Sequence, residues 1–222
     1  METYTINKKI VEIPTSWLDC TFERFLGFNS IIQGMKFSEN EENKTDRDEW
    51  EDALQDLKNN TKILSYWSGS SESDISMLDL EVASDMMKSL SFLNEAYAPI
   101  TIDSFTIGDE KFILPENFMK QSSFGRYIEA EQLELQANLL DKGRLDILPR
   151  QVAILCKKEG EVEKLDDDLI DKRAKMFEKL DMATIWDVGF FLNKLEQKLM
   201  LNFLISQEKE ETRGPESQQK EQ

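Results

Sequence analysis

Asp166, Asp167 and Asp168 stand in a row with Asp171 one turn further on, the densest set of groups in the chain that could do chemistry. Carboxylate oxygens in that number can hold Mg²⁺ or Ca²⁺. Three consecutive residues point in three directions, however, and acids at a helix start are stabilised by the helix dipole without any metal. Glu129 and Glu131 near Arg126 offer a carboxylate–guanidinium pair that reads more simply as surface. Ser122 and Ser123 lie close to Lys120, and a Ser nucleophile without His needs a Lys base. A helix cap explains these serines better. Histidine is absent altogether, which removes Ser-His and Cys-His activation and the commonest transition-metal ligand. Cys20 and Cys156 are isolated in apolar settings without CxxC spacing. They read as small core residues of a reduced compartment, a single disulfide between them being the other option. The glycines are scattered singly, and neither GxGxxG nor GxxxxGK[ST] occurs, so no phosphate-cradling loop is present. No residue is therefore expected to be catalytic, to bind a cofactor or to ligate a metal. A carboxylate-only, metal-dependent hydrolase is the enzymatic alternative that stays open.

The charge balance narrows the partners. Forty-four acids against 27 bases leave a formal charge of −17 over 222 residues, which repels a phosphate backbone and removes the counterion-release drive for nucleic-acid binding. Nucleic acid is not an expected partner. The N-terminus opens into strand-like alternation without a basic and then apolar leader. No window holds the roughly 18 apolar residues a membrane span needs, so a cytoplasmic chain without membrane contact is expected.

The elements that position these groups fall into two similar series. Residues 4–14 and 105–115 align without a gap, each an aromatic-Thr-Ile start, a turn and a Pro. Trp17 then falls opposite Phe118, and after a one-residue slip Thr21-Phe22-Glu23-Arg24-Phe25 faces Ser123-Phe124-Gly125-Arg126-Tyr127. Such likeness reads either as an internal duplication of a hairpin-plus-helices unit or as what any hairpin leading into a helix requires. Gly108 at the first central turn position suits a type II′ hairpin. Helices are expected over 21–32 with Thr21 as N-cap, 49–67 with a break at Asn59-Asn60, 76–98, 123–140, 148–156, 166–179 and 184–205, the last opened by Thr184 with Asp187. A polar loop is expected over 38–48. The fold class is mainly α with two short β-hairpins (α+β), arranged as halves 1–99 and 100–207 and a polar, disordered tail over 208–222.

With chemistry excluded, contact surfaces become the candidates. Phe190 and Phe191 follow Gly189 and cannot both face one core, so one ring must find another surface. Trp17 and Phe118, opposite each other in the repeat, are the other two candidate protein-contact residues.

The segments Ile13-Pro14-Thr15-Ser16-Trp17, Ser123-Phe124-Gly125-Arg126-Tyr127, Leu148-Pro149-Arg150-Gln151-Val152 and Gly189-Phe190-Phe191-Leu192, taken in order, resemble tail assembly chaperones and virion-morphogenesis proteins of tailed bacteriophages. The resemblance implies a non-enzymatic role in the host cytoplasm, binding another phage structural protein such as a tape-measure chain. A structural or packaged virion component and a homo-oligomer are the variants it allows. The acidic loop 38–48 and the charged tail depart from that pattern.

Overall fold

The computed structural model describes residues 1–37, 45–114, 124–139, 144–160 and 166–192, with 194 and 197. It is mainly helical with two small antiparallel sheets. Strands β1 (Glu2–Ile6) and β2 (Lys9–Ile13) form the first hairpin. Its two-residue turn has positive φ at both Asn7 (48°) and Lys8 (66°), the requirement of a type I′ turn. Helix α1 (Phe22–Gln33) follows, its N-cap Thr21 accepting from the Arg24 N–H. Helix α2 (Asp46–Ser68), α3 (Glu72–Ser76) and α4 (Leu80–Ser89) complete the first half, with a 3₁₀ turn at Leu90–Asn94.

The second half opens with β3 (Ser104–Ile107) and β4 (Glu110–Ile113), joined by a turn with positive φ at Gly108 alone, as a type II′ turn requires. Helices α5 (Phe124–Leu139) and α6 (Arg144–Leu155) come next, and the short strand β5 (Lys157–Lys158) pairs with the outer edge of β4. Helix α7 (Asp167–Phe177) and a helix α8 over 182–192 end the described chain.

The two halves share local geometry under the alignment of the hairpins and its one-residue slip before the helices. Tyr4 stands opposite Val11 as Phe105 stands opposite Phe112. Helices α1 and α5 begin at the aligned residues Phe22 and Phe124. The third residue of each, Arg24 and Arg126, donates to a carbonyl in the last turn of the following helix, those of Trp67 and Ile154. Buried Phe105 and Phe112 stack at 5.5 Å, and Phe177 of α7 meets both edge-on at 5.4 and 4.9 Å.

The halves are locked together where two helices start. Thr21 and Asp181 form an antiparallel bridge. Across it Phe22 N–H donates to Leu180 O, Met182 N–H to Cys20 O (both 2.8 Å), and Glu23 N–H to Glu178 O (2.9 Å). Each helix thus finds acceptors for first-turn N–H groups that have no intrahelical partner. Trp17 sits above the lock, edge-to-face with Phe25 (5.7 Å), Phe92 (5.1 Å) and Trp186 (6.2 Å). Asp187 of α8, 6% exposed, accepts from the Ile100 N–H (2.8 Å) and the Tyr97 hydroxyl (3.1 Å), which ties the linker between halves to the core. One apolar cluster runs through both halves.

Several expected boundaries are corrected by capping and tertiary bonds. The helix expected at Glu49 starts at Asp46, inside the expected loop, because Thr45 and Asp48 form a capping box. It does not break at Asn59-Asn60: Asn59 is buried, and its amide donates to Lys36 O (2.8 Å). Of the long helix expected over 76–98, α4 (Leu80–Ser89) and the 3₁₀ turn after it form, while Ser76 is the last residue of α3, a separate helix capped by Ser71. Pro149 lies inside α6 instead of in its first turn, because that helix begins at Arg144. Asp181, not Thr184, caps α8, accepting from both the N–H and the hydroxyl of Thr184 (2.8 Å each). Of the helix expected over 184–205, only the part to 192, with 194 and 197, falls among the described residues, and the expected tail over 208–222 lies outside them.

Candidate protein-contact site

Helix α2 is about 34 Å long at 1.5 Å per residue, and only its second half is embedded. Leu64 (2% exposed) and Trp67 (0%) belong to the core, with the Arg24 guanidinium 4.8 Å over the Trp67 ring. Asn59 marks where the helix leaves the body. Towards its N-terminus, Trp50 (71% exposed), Leu54 (47%) and Leu57 (61%) recur one helical turn apart on one face. Leu57 and Leu64 are two turns apart on that face, so a single apolar stripe is covered at one end and bare at the other. Glu49, Glu51, Asp52 and Asp56 accompany the bare end, and the Arg47 guanidinium is drawn to Glu51 (2.9 Å).

The sequence-derived contact candidates sit elsewhere. Trp17 is half-buried at the centre of the aromatic lock, where it joins the halves. Phe191 packs half-buried against the core and lines a cleft of about 540 Å³ with Thr101, Ile102, Asp103, Ser104 and Leu114. Phe190, also half-buried, carries the Lys194 ammonium 4.3 Å over its ring. Neither ring of the pair is bare. Phe118 lies outside the described residues.

The groups singled out for chemistry are placed as follows. Asp166 caps α7 by accepting from the Asp168 N–H (3.1 Å), and Asp167 and Asp171 both face the Arg150 guanidinium. Among the described residues no group of three or more Asp, Glu, Cys or His side chains could hold a metal ion. Arg126 is buried and donates to Ile154 O (3.1 Å), while Glu129 is half-buried and Glu131 exposed. Lys120, Ser122 and Ser123 lie outside the described residues. Cys20 and Cys156 are free and buried, and burial pushes both thiols up to about 12, far above the range in which a thiolate forms. Among the described residues no helix is long and apolar enough to cross a membrane.

The bare stripe was legible as a stripe but not as bare. Trp50, Ala53, Leu54, Leu57, Leu64 and Trp67 share helical spacing, and periodicity marks a face without saying whether anything packs against it. Comparison of the chain with protein-family models, with curated proteins and with solved structures finds no match.

Proposed function

We propose that the protein is a non-enzymatic binding module that holds an apolar segment of another protein against the bare half of α2. The observation that carries this reading is the exposure of Trp50, Leu54 and Leu57 on consecutive turns. Large apolar side chains grouped on one exposed face mark interaction sites in soluble proteins. Trp is also among the residues that most often dominate binding energy. The resemblance to tail assembly chaperones supplies the setting: a phage structural protein, tape-measure-like, whose apolar helices aggregate unless covered. Acidic residues beside the stripe and a net charge of −17 keep the complex soluble and disfavour nucleic acid.

The test is co-expression with tail structural proteins of a tailed phage, a tape-measure chain first. The reading expects one of them to stay soluble with the wild-type chain and to precipitate with Trp50→Glu/Leu57→Glu. Trp50 fluorescence should shift to the blue on binding, since Trp67 is buried and Trp17 and Trp186 are packed in the lock. Equal solubility with both chains would overturn it.

A further inference from the structure

The two hairpins share one register and differ in turn type and at one edge. A two-residue turn makes Ile6 and Lys9 the first hydrogen-bonded pair of the first hairpin, and bonded and non-bonded pairs alternate from there. The N–H and C=O of Ile10 and Glu12 therefore point away from β1. Their counterparts in the second hairpin are Lys111 and Ile113, and there the outer edge is filled. Glu159 N–H donates to Lys111 O (2.9 Å), and Lys157 stands opposite Ile113. In the first hairpin, among the described residues, no backbone bond reaches Ile10 or Glu12 from outside the β1–β2 ladder. The chain that follows α2, the counterpart of β5, turns away instead. Gly69 takes φ 66°, and Ser71 caps α3 by accepting from the Asp74 N–H (3.1 Å). Ile10 is left 76% exposed.

We propose that the outer edge of β2 docks an extended segment of a partner protein as a third, antiparallel strand, carrying a basic, an acidic and an apolar side chain opposite Glu12, Val11 and Ile10. The charge pattern follows from β5. There Lys158, opposite Phe112, reaches Glu110 (2.7 Å), and Glu159, opposite Lys111, reaches Lys111 (3.0 Å). The counterparts of Glu110 and Lys111 are Lys9 and Ile10. A strand completing β2 therefore needs an acid where β5 has Lys158 and an apolar residue where β5 has Glu159. A basic residue opposite Glu12 adds a favourable cross-strand pair on the outer face. Strand addition of this kind takes affinity from main-chain bonds and selectivity from alternate side chains. The edge is separate from the α2 face and needs only the hairpin.

The probe is a capped octapeptide with Lys-Glu-Val at its centre, titrated into the full-length chain and followed by ¹⁵N shifts and amide exchange. Protection of the Ile10 and Glu12 amides is expected, with that of Val11 unchanged. N-methylation of the peptide's Val should weaken binding at least tenfold, because that N–H faces β2, while N-methylation of its Glu, whose N–H faces away, should not. Ile10→Pro deletes an outward N–H without breaking the β1 ladder and should abolish binding. Should that variant unfold, Lys9→Glu serves in its place and is expected to reverse the preference toward a peptide with Lys-Lys-Val, in which only the residue that reaches position 9 is changed. No protection of Ile10 and Glu12 at millimolar peptide, or equal binding of both N-methyl isomers, would overturn the proposal. Trp50→Glu/Leu57→Glu should leave peptide binding intact, so failure here and failure of the α2 reading are told apart.

Discussion

Gly27, in the middle of α1, is where a single hydrogen atom decides the packing of two helices. A Cβ built there would come within 2.4 Å of the Tyr66 hydroxyl oxygen, and that hydroxyl donates to the Arg24 carbonyl. Gly27→Ala is expected to cost about 1–2 kcal/mol by displacing the bond, and Tyr66→Phe about 1 kcal/mol. In the Tyr66→Phe background Gly27→Ala should cost little or nothing, since the colliding atom is gone and Ala is the better helix former. Urea melts of the four chains check this cycle.

Asp19 sets a proton-linked part of stability. The Met1 ammonium (2.9 Å), then Thr15 and Ser16, donate to its Oδ2, and together they outweigh the burial that acts the other way, holding the carboxyl down at about 2 from 3.8. A depressed carboxyl contributes stability that is whole above its unfolded value and is lost as pH falls through the folded one. The stability of the wild-type chain should therefore drop between about pH 4 and pH 2, and Asp19→Asn should be weaker at pH 7 with a shallower acid limb in the same window. Parallel acid limbs would show that Asp19 is not linked to folding.

At the scale of elements, one face of α2 serves two purposes. Leu64→Ala opens a cavity in the core and is expected to cost about 2–4 kcal/mol. Leu57→Glu, two turns away on the same stripe, meets only solvent and should change the melt by no more than about 0.5 kcal/mol. Equal costs would mean that the first half of α2 is covered by the chain itself, and would remove the surface on which the functional reading stands. The hairpins make the same point in strands. Val11 and Phe112 occupy equivalent places, yet among the described residues only β4 has a strand on its outer edge.

For the whole molecule, the lock at Cys20–Phe22 and Leu180–Met182 makes the halves interdependent. The Phe22 and Glu23 N–H groups at the start of α1 have their acceptors in the second half, and Trp17 and Phe25 have Trp186 as a shared wall. The intact chain is expected to unfold in one transition with matching calorimetric and van't Hoff enthalpies, and residues 1–99 alone should lack cooperative melting. Trp186→Ala, which empties the wall, should cost about 3 kcal/mol and lower exchange protection in both hairpins together. Two resolved transitions would show instead that the halves fold separately.

The residue pattern alone determined the fold class, because strand alternation, a Gly turn and apolar spacing are local signals that the rest of the chain leaves intact. It also determined the Gly108 turn of the second hairpin and the Thr21 cap. Its errors fell where a local signal was outvoted. Asn59 looks like a helix breaker until the Lys36 carbonyl satisfies it, and Thr184 looks like a cap until Asp181 fills that role. Which apolar faces are covered and which strand edge is filled could be decided only by the tertiary structure, since periodicity fixes the direction a side chain takes from its own axis and says nothing about what has been packed on the other side.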